Sequence, residues 1–496
     1  TNDRYLQAVR DHIVVFDGAM GTNIQKLEPT AADYGGEKMW GNNDYLVISQ
    51  PALIETIHAG FLEVGAEVIE TCTFRSNRLT MREYGLQDRI LEINRAAASL
   101  ARRTADRFAA ATGIPRFVAG SMGPTGYLPS ASDPTLSNIT FAELAATFAE
   151  QAQGLVEGGV DLLLLETQQD ILEVKAAVAG IQRYFRQAGV RVPLQVQVTL
   201  DVTGRMLLGT DIAAVLTILR YLPIEVIGLN CSTGPDYMRE PVRHLTANTN
   251  LPISVIPNAG LPLNVDGKAV YPLEPRPLAA TLTEFVRDLG VNVVGGCCGT
   301  TPEHIQQIVE MVRPLKAHAP GLARIGARTA FPALAASAMR ATGLVQEPAP
   351  HLIGERINTQ GSKIVKKLLL ADDYDGLLQI ARDQIEGGAH TLDVCVALTE
   401  RADEPEMMRR TVRLLSQSVD APLVIDSTEA DVLRVALENI PGRPIINSIN
   451  LENGRKRCDA VLPLAVEHGA AVVALTIDPI GRAKTASRKL EVAQAI

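Results

Sequence analysis

Aromatic residues fill only 4% of the 496 positions, with a single Trp, so a base-stacking platform for nucleic acid is not expected. No basic stripe stands out: 47 Lys and Arg face 56 Asp and Glu, a formal charge of −9, which also argues against nucleic acid as a partner. The longest apolar runs, such as Leu162–Leu165, are far too short to span a bilayer, and no basic segment followed by an apolar stretch opens the chain. A cytoplasmic protein without a membrane partner is therefore expected. Gly-x-Gly-x-x-Gly and Walker patterns are absent, so nucleotide binding is not indicated. Cysteine is sparse as well, with six residues: Cys72, Cys231, Cys297, Cys298, Cys395 and Cys458. That is no disulfide framework, and in a reducing compartment clustered cysteines are more often metal ligands or catalysts.

What is present is an ordinary globular balance, 46% hydrophobic and 21% charged. A pattern recurs along it: a helical stretch ends in Gly-Gly, Gly-Ala or Gly-Val, and a short apolar run follows. Glu157-Gly-Gly-Val-Asp-Leu-Leu-Leu-Leu-Glu and Gly387-Gly-Ala-His-Thr-Leu-Asp-Val are examples. The glycine stops the helix, and the apolar run reads as a strand buried on both faces of a parallel sheet. The first part supplies eight such strands: 13–17, 67–71, 116–120, 161–166, 194–200, 225–230, 252–257 and 291–296. Eight units over residues 1–325 fit one (β/α)8 barrel, with a doubly wound open sheet as the alternative. Residues 314–350 turn rich in Ala and Pro without a strand signal, and 326–350 is expected to connect two domains. A second series follows over 351–496, with strands at 352–355, 391–394, 423–426, 445–448 and 472–478. Five units cannot close a barrel that needs eight. Either this domain is an open sheet or the chain, which starts at Thr1 and stops in a helix-like stretch, is part of a longer protein; the latter is expected. The fold class read from the pattern is thus α/β, two tandem (β/α)8 barrels with the second incomplete.

Chemistry in such barrels sits at the C-terminal strand ends. Cys231 follows the sixth strand, and Cys297 and Cys298 follow the eighth, two strands away. Neighbouring strand residues normally point to opposite faces, so both members of a Cys-Cys pair reach one point only where the pleat has ended, and Gly295, Gly296 and Gly299 permit that. Three thiolates with an open fourth position match a catalytic zinc site suited to a sulfur substrate, whose thiol zinc would deprotonate at neutral pH. Buried structural cysteines and a strained vicinal disulfide are the competing explanations. Cys72, also at a strand end, reads as a pocket-lining residue more readily than as a fourth thiol. Asp17 and Glu166 are strand-end carboxylates suited to an ammonium group, or else helix caps. In the second series Asp393, Asp426 and Asn447 stand at strand ends, where carboxylates and amides match the donor–acceptor edge of a flat heterocycle, or again serve as caps.

Asp17-Gly-Ala-Met-Gly-Thr, Gly41-Asn-Asn-Asp, Asn230-Cys and Gly295-Gly-Cys-Cys-Gly-Thr-Thr-Pro resemble the homocysteine S-methyltransferase domain. Gly354-Glu-Arg-Ile-Asn, Leu392-Asp-Val, Ile425-Asp-Ser-Thr and Ile446-Asn-Ser-Ile resemble the pterin-binding methyltransferase domain. In this order they look like the N-terminal half of the cobalamin-dependent methionine synthase family, and the likeness covers nearly the whole chain. The resemblance implies that Cys231, Cys297 and Cys298 bind zinc, with the sulfur of homocysteine as fourth ligand. It places Asp17, Gly18, Glu166 and Asn230 around homocysteine, and Asp393, Asp426 and Asn447 along the pterin of methyltetrahydrofolate. It further implies an enzyme that moves a methyl group from 5-methyltetrahydrofolate to cobalamin, held as methylcobalamin by a module in cis but outside this chain, and then to homocysteine. Cys72 and Cys395 stand where the family usually has Asn. A cobalamin-independent zinc homocysteine S-methyltransferase using betaine or S-methylmethionine is the alternative enzyme, and a zinc- or thiol-buffering protein the non-enzymatic one.

Overall fold

The computed structural model describes residues 3–265, 268–317 and 332–496. Its contacts divide the chain into two compact units: Thr1–Leu128 with Ala142–Leu207 and Pro223–Phe331, and Pro129–Phe141 with Leu208–Leu222 and Pro332–Ile496. Among the described residues, no helix is long and apolar enough to cross a membrane.

The first unit is built on eight parallel strands: β1 (Val14–Val15), β2 (Val68–Glu70), β3 (Phe117–Met122), β4 (Leu162–Gln168), β5 (Leu194–Val198), β6 (Val226–Asn230), β7 (Ile253–Ile256) and β8 (Val293–Val294). Their hydrogen-bonded order is β1-β8-β7-β6-β5-β4-β3-β2, and a parallel bridge from Phe16 to Val68 joins the two ends. The sheet is therefore a closed barrel, as the eight-fold repeat requires. All eight strands lie within or overlap the stretches expected from the sequence, including β4, whose seven residues are all buried. Such uniform burial explains why these strands read as continuous apolar runs rather than alternating ones.

The barrel interior packs Phe16, Phe117, Leu162, Leu164, Val226 and Val293. A helix at Arg4–Asp11, not expected from the sequence, sends Tyr5 into this core. The Tyr5 ring stands edge-on to Phe16 and Phe117, with centroids 6.4 and 5.8 Å away. Its hydroxyl donates to Gln195 Oε1 at 2.5 Å, and Gln195 and Gln197 donate in turn to Ser254 Oγ. These bonds offset part of the cost of burying the polar groups, although Gln197 Oε1 finds no partner.

The second unit holds a parallel sheet in sequential order: β9 (Ile353–Asn358), β10 (Thr391–Cys395), β11 (Leu423–Asp426), β12 (Ile445–Ile449) and β13 (Ala471–Ala474). It is open. The strand expected over 472–478 divides: β13 ends at Ala474, and Ile477–Asp478 folds back antiparallel on Gly481–Arg482. Asp478-Pro-Ile-Gly481 supplies the turn chemistry, with Gly481 at φ +112°. Of the expected connection 326–350, residues up to Phe331 lie outside the described residues. From Pro332 the chain joins the second unit through an antiparallel pair, Leu334–Ala336 with Ala341–Gly343, in which Ala335 and Ala336 are buried. Two stretches drawn from the span of the first series also pack here. Tyr221 lies under the Arg443 guanidinium at 3.6 Å, and Gln417 Nε2 donates to the Ala131 carbonyl at 2.9 Å.

Candidate functional site: a three-thiol mouth

Strand β6 ends at Asn230, and the chain then turns through Cys231 and Ser232, both at φ +60°. Non-glycine residues adopt this left-handed conformation rarely. Here it breaks the pleat and leaves Cys231 at the barrel mouth. After β8, the Gly296 N–H donates to the Asp17 carbonyl, Cys297 N–H to the Pro257 carbonyl and Cys298 N–H to Asn258 Oδ1. These bonds lash the double-cysteine loop to the ends of β1 and β7. The next residue, Gly299, sits at φ +82°, and a Cβ there would meet Tyr271 at 2.3 Å. Conformation and space both demand glycine.

The consequence is a cluster of three sulfurs, Cys231, Cys297 and Cys298, all within 4.8 Å of one another, with Cys231 and Cys298 at 3.8 Å. A tetrahedral zinc with bonds of about 2.3 Å separates its sulfurs by about 3.8 Å, so the set fits that ion with one corner left open. Among the described residues, no other group of His, Cys, Asp or Glu brings three ligand atoms so close. Hydrogen bonds from the Cys231 and Cys297 thiols hold the Cys298 thiol well below its ordinary value, while those contacts and burial push Cys297 up.

The sulfurs open on a cavity of about 260 Å³, lined also by Gly18, Asp44, Glu70, Cys72 and Glu166. Glu166 accepts from Ser121 Oγ and, at 3.1 Å, from Asn230 Nδ2. Burial raises the Glu166 carboxyl to about 7. Glu70, half-buried beside it, is raised well above its usual value by desolvation and then by the charges of Glu166 and Asp17. Asp17, 2% exposed, accepts from the Glu70 N–H at 3.0 Å and is likewise raised by burial. Among the described residues, no Lys, Arg or His forms an ion pair with these three acids. The arrangement is short of positive charge, which an ammonium group would supply. Asn230 braces the same wall: its Oδ1 accepts from the Thr167 N–H at 2.7 Å and its Nδ2 donates to Thr167 Oγ1 at 2.9 Å. That double contact holds Thr167 at φ +56°, a costly position for a β-branched residue.

In the second unit, Asn358 Nδ2 donates to Asp393 Oδ2 at 3.1 Å and to Asp426 Oδ2 at 3.3 Å, and Asn447 Nδ2 donates to Asp393 Oδ1 at 3.4 Å. Four adjacent strands thus present one row of carboxyls and amides at their C-terminal ends. Burial raises Asp393 to about 6, ahead of the opposing bond from Asn358.

Of the residues singled out by sequence, Cys231, Cys297 and Cys298 come together, and Gly18 and Glu166 line the same cavity. Asp17 stands behind the wall, reaching it through Glu70, and Asn230 acts through Thr167 and Glu166. Asp393, Asp426 and Asn447 form one cluster. Cys72 is a wall residue whose thiol donates to the Asn43 carbonyl at 3.4 Å. Cys395 is buried under the second cluster beside Thr359. Sequence reasoning passed over Glu70, Asp44 and Asn358. Glu70 and Asn358 end strands β2 and β9, and that placement was the available signal.

Residues 14–312 match the family model described as homocysteine S-methyltransferase, and residues 354–495 the one described as pterin binding enzyme. Two curated relatives, each named methionine synthase, come from Mycobacterium leprae (strain TN) and Mycobacterium tuberculosis (strain ATCC 25618 / H37Rv). They are 41% and 40% identical over 495 and 497 residues, which is 99% of this chain and 40% of each relative. The chain therefore spans about 40% of the length of these relatives. Among solved structures, the homocysteine methyltransferase MmuM from Escherichia coli aligns in its metallated and oxidized forms with TM-scores of 0.50 and 0.51. Each is 21% identical and covers 62% of this chain and 99% of its own, a likeness of fold alone. The homocysteine model alone spans more than half of the sequence, and the chain belongs to the homocysteine S-methyltransferase family.

Proposed function

We propose that the first unit binds homocysteine at the three-thiol mouth and methylates its sulfur, and that the chain as a whole is the homocysteine module and first part of the folate module of a methionine synthase. The observation that carries this reading is the convergence of Cys231, Cys297 and Cys298 on one cavity that Glu70 and Glu166 also line. The three sulfurs would hold a zinc ion, which lowers the pKa of a thiol bound at its open corner into the neutral range. Glu166 and Glu70 hold the amino end of the substrate, with Asp17 behind them setting their charge. Asn230 fixes the end of β4 that carries Glu166, so that the substrate sulfur and the metal corner meet. The thiol proton leaves to solvent. The thiolate then forms its bond to the methyl carbon as the bond from methyl to its carrier breaks, giving methionine. The row Asn358, Asp393, Asp426 and Asn447, two amides flanking two carboxyls, presents donors and acceptors to the edge of the pterin of methyltetrahydrofolate. The methyl carrier between the two modules is cobalamin, held by a domain in cis outside this chain, and a reducing cytoplasm suits six free cysteines.

The test is methyl transfer from free methylcobalamin to homocysteine by the chain, followed through the visible spectrum with and without a zinc chelator. Homocysteine-dependent demethylation that the chelator stops supports the reading. Zinc-loaded protein that leaves methylcobalamin untouched and accepts betaine or S-methylmethionine overturns it in favour of the cobalamin-independent reaction.

A further inference from the structure

Arg457 stands in the first turn of the second-unit helix Lys456–His468, where a cation faces the positive end of the helix dipole and gains nothing from it. What it holds accounts for its place. Its Nε donates to the Ser448 carbonyl at 3.1 Å, Nη1 to the Thr428 carbonyl at 2.6 Å and Nη2 to the Ser427 carbonyl at 2.7 Å. Ser427 and Ser448 directly follow Asp426 and Asn447, which are partners in the ladder between β11 and β12. On its other side β12 slips against β13 between Asn447 and Ile449, so Ser448 falls out of register, and Arg457 takes up its carbonyl. Among the described residues Arg457 forms no ion pair. The guanidinium is spent on backbone, and the Asp426 carboxyl keeps only its bond from Asn358.

We infer that Arg457 is a positioning residue of the pterin site, stapling the ends of β11 and β12 together and so setting the spacing of Asp426 and Asn447. The inference rests on the folate reading above. Those two residues bond to Asn358 and Asp393, so the whole row takes its spacing from the staple. A row of carboxyls and amides recognises a flat heterocycle only when its atoms stand within about 0.5 Å of their places. Only a planar fork reaches three carbonyls of two loops at once; a lysine offers a single point charge.

The test is calorimetric titration of the full chain with 5-methyltetrahydrofolate, for wild type, Arg457→Lys, Asp426→Asn and the double variant. Arg457→Lys is expected to weaken binding about tenfold or more, with the second unit still folded by circular dichroism. On the Asp426→Asn background the same replacement should cost much less, because the carboxyl being positioned is gone. Wild-type affinity in Arg457→Lys overturns the inference. Equal losses on both backgrounds overturn it too, since a general loosening of the unit is additive and a positioning role is not. Arg457→Gln supplies the same comparison if the lysine variant does not fold. A wild-type chain that binds no 5-methyltetrahydrofolate overturns the folate reading itself, and is seen before any variant is made.

Discussion

Asn230 shows how much of the mouth rests on one amide. Its oxygen and nitrogen face different partners, a backbone N–H on one side and a carboxylate on the other. Asp at this position would keep the acceptor for Thr167 but turn the second contact into two oxygens facing each other. Asn230→Asp is therefore expected to lower kcat/KM for homocysteine by about 100-fold or more, the loss of about 3 kcal/mol, while the fold persists; steady-state kinetics beside circular dichroism decides. Cys297→Ala is expected to abolish zinc retention and homocysteine use, with the first barrel still folded. Metal analysis of the purified variant measures it, and full zinc with full activity would remove Cys297 from the ligand set. Buried Glu173 gives a sign-definite pH effect. Burial raises its carboxyl to about 8, and Thr125 donates to it through N–H and Oγ. The folded chain thus binds a proton that the unfolded chain releases near pH 4–5. Stability from this group is full below that value and lost as pH rises toward about 8, by up to about 1.4 kcal/mol per pH unit. Urea midpoints of Glu173→Gln should fall less than wild type between pH 5 and 8. At this scale the thiols were legible because Gly-Gly-Cys-Cys-Gly carries its own backbone logic. Glu70 was not, since a Glu ending a strand declares no partner until the barrel closes.

The N-terminal helix Arg4–Asp11 is the element whose removal would tell most about the barrel. Tyr5 is fully buried at its base. Tyr5→Ala should cost about 3–5 kcal/mol through the cavity it leaves, and Tyr5→Phe only about 1 kcal/mol for the bond to Gln195, as read by urea unfolding. An equal cost for both would mean that the hydroxyl, not the ring, dominates. The strands of both series were legible because each is bounded by a glycine stop and buried on two faces. Their lengths were less so. Val14–Val15 and Val293–Val294 are shorter than their apolar runs because the residues beyond them leave the ladder to shape loops, as when Gly296 N–H turns to the Asp17 carbonyl. The helix itself was missed because its polar outer face hides the three inward residues, Tyr5, Ala8 and Val9.

At the scale of the whole molecule, one core lies inside the closed barrel and another around Leu392, Val412, Leu433 and Val461 beside the open sheet. Calorimetry should therefore resolve two transitions, and zinc should raise only that of the first unit, by about 2.7 kcal/mol at a free concentration 100 times its Kd. A shift of both, or of neither, would refute the placement of the metal. The sequence reading extended the first domain evenly from 1 to 325, yet Pro129–Phe141 and Leu208–Leu222 pack with the other unit, because long-range packing leaves no periodic trace.

The way the barrel closes also sets a timetable. Val14 pairs with Val293, and Tyr5 needs Gln195, so the early segments of the barrel wait for its later strands before they are covered. Contacts of such sequence separation form slowly. Until β8 arrives, the nascent chain carries an unpaired β1 edge and a helix with no socket, both ready to join the wrong neighbour. A chain stopped short of Val293 should emerge as aggregate, however sound each of its seven strands is alone.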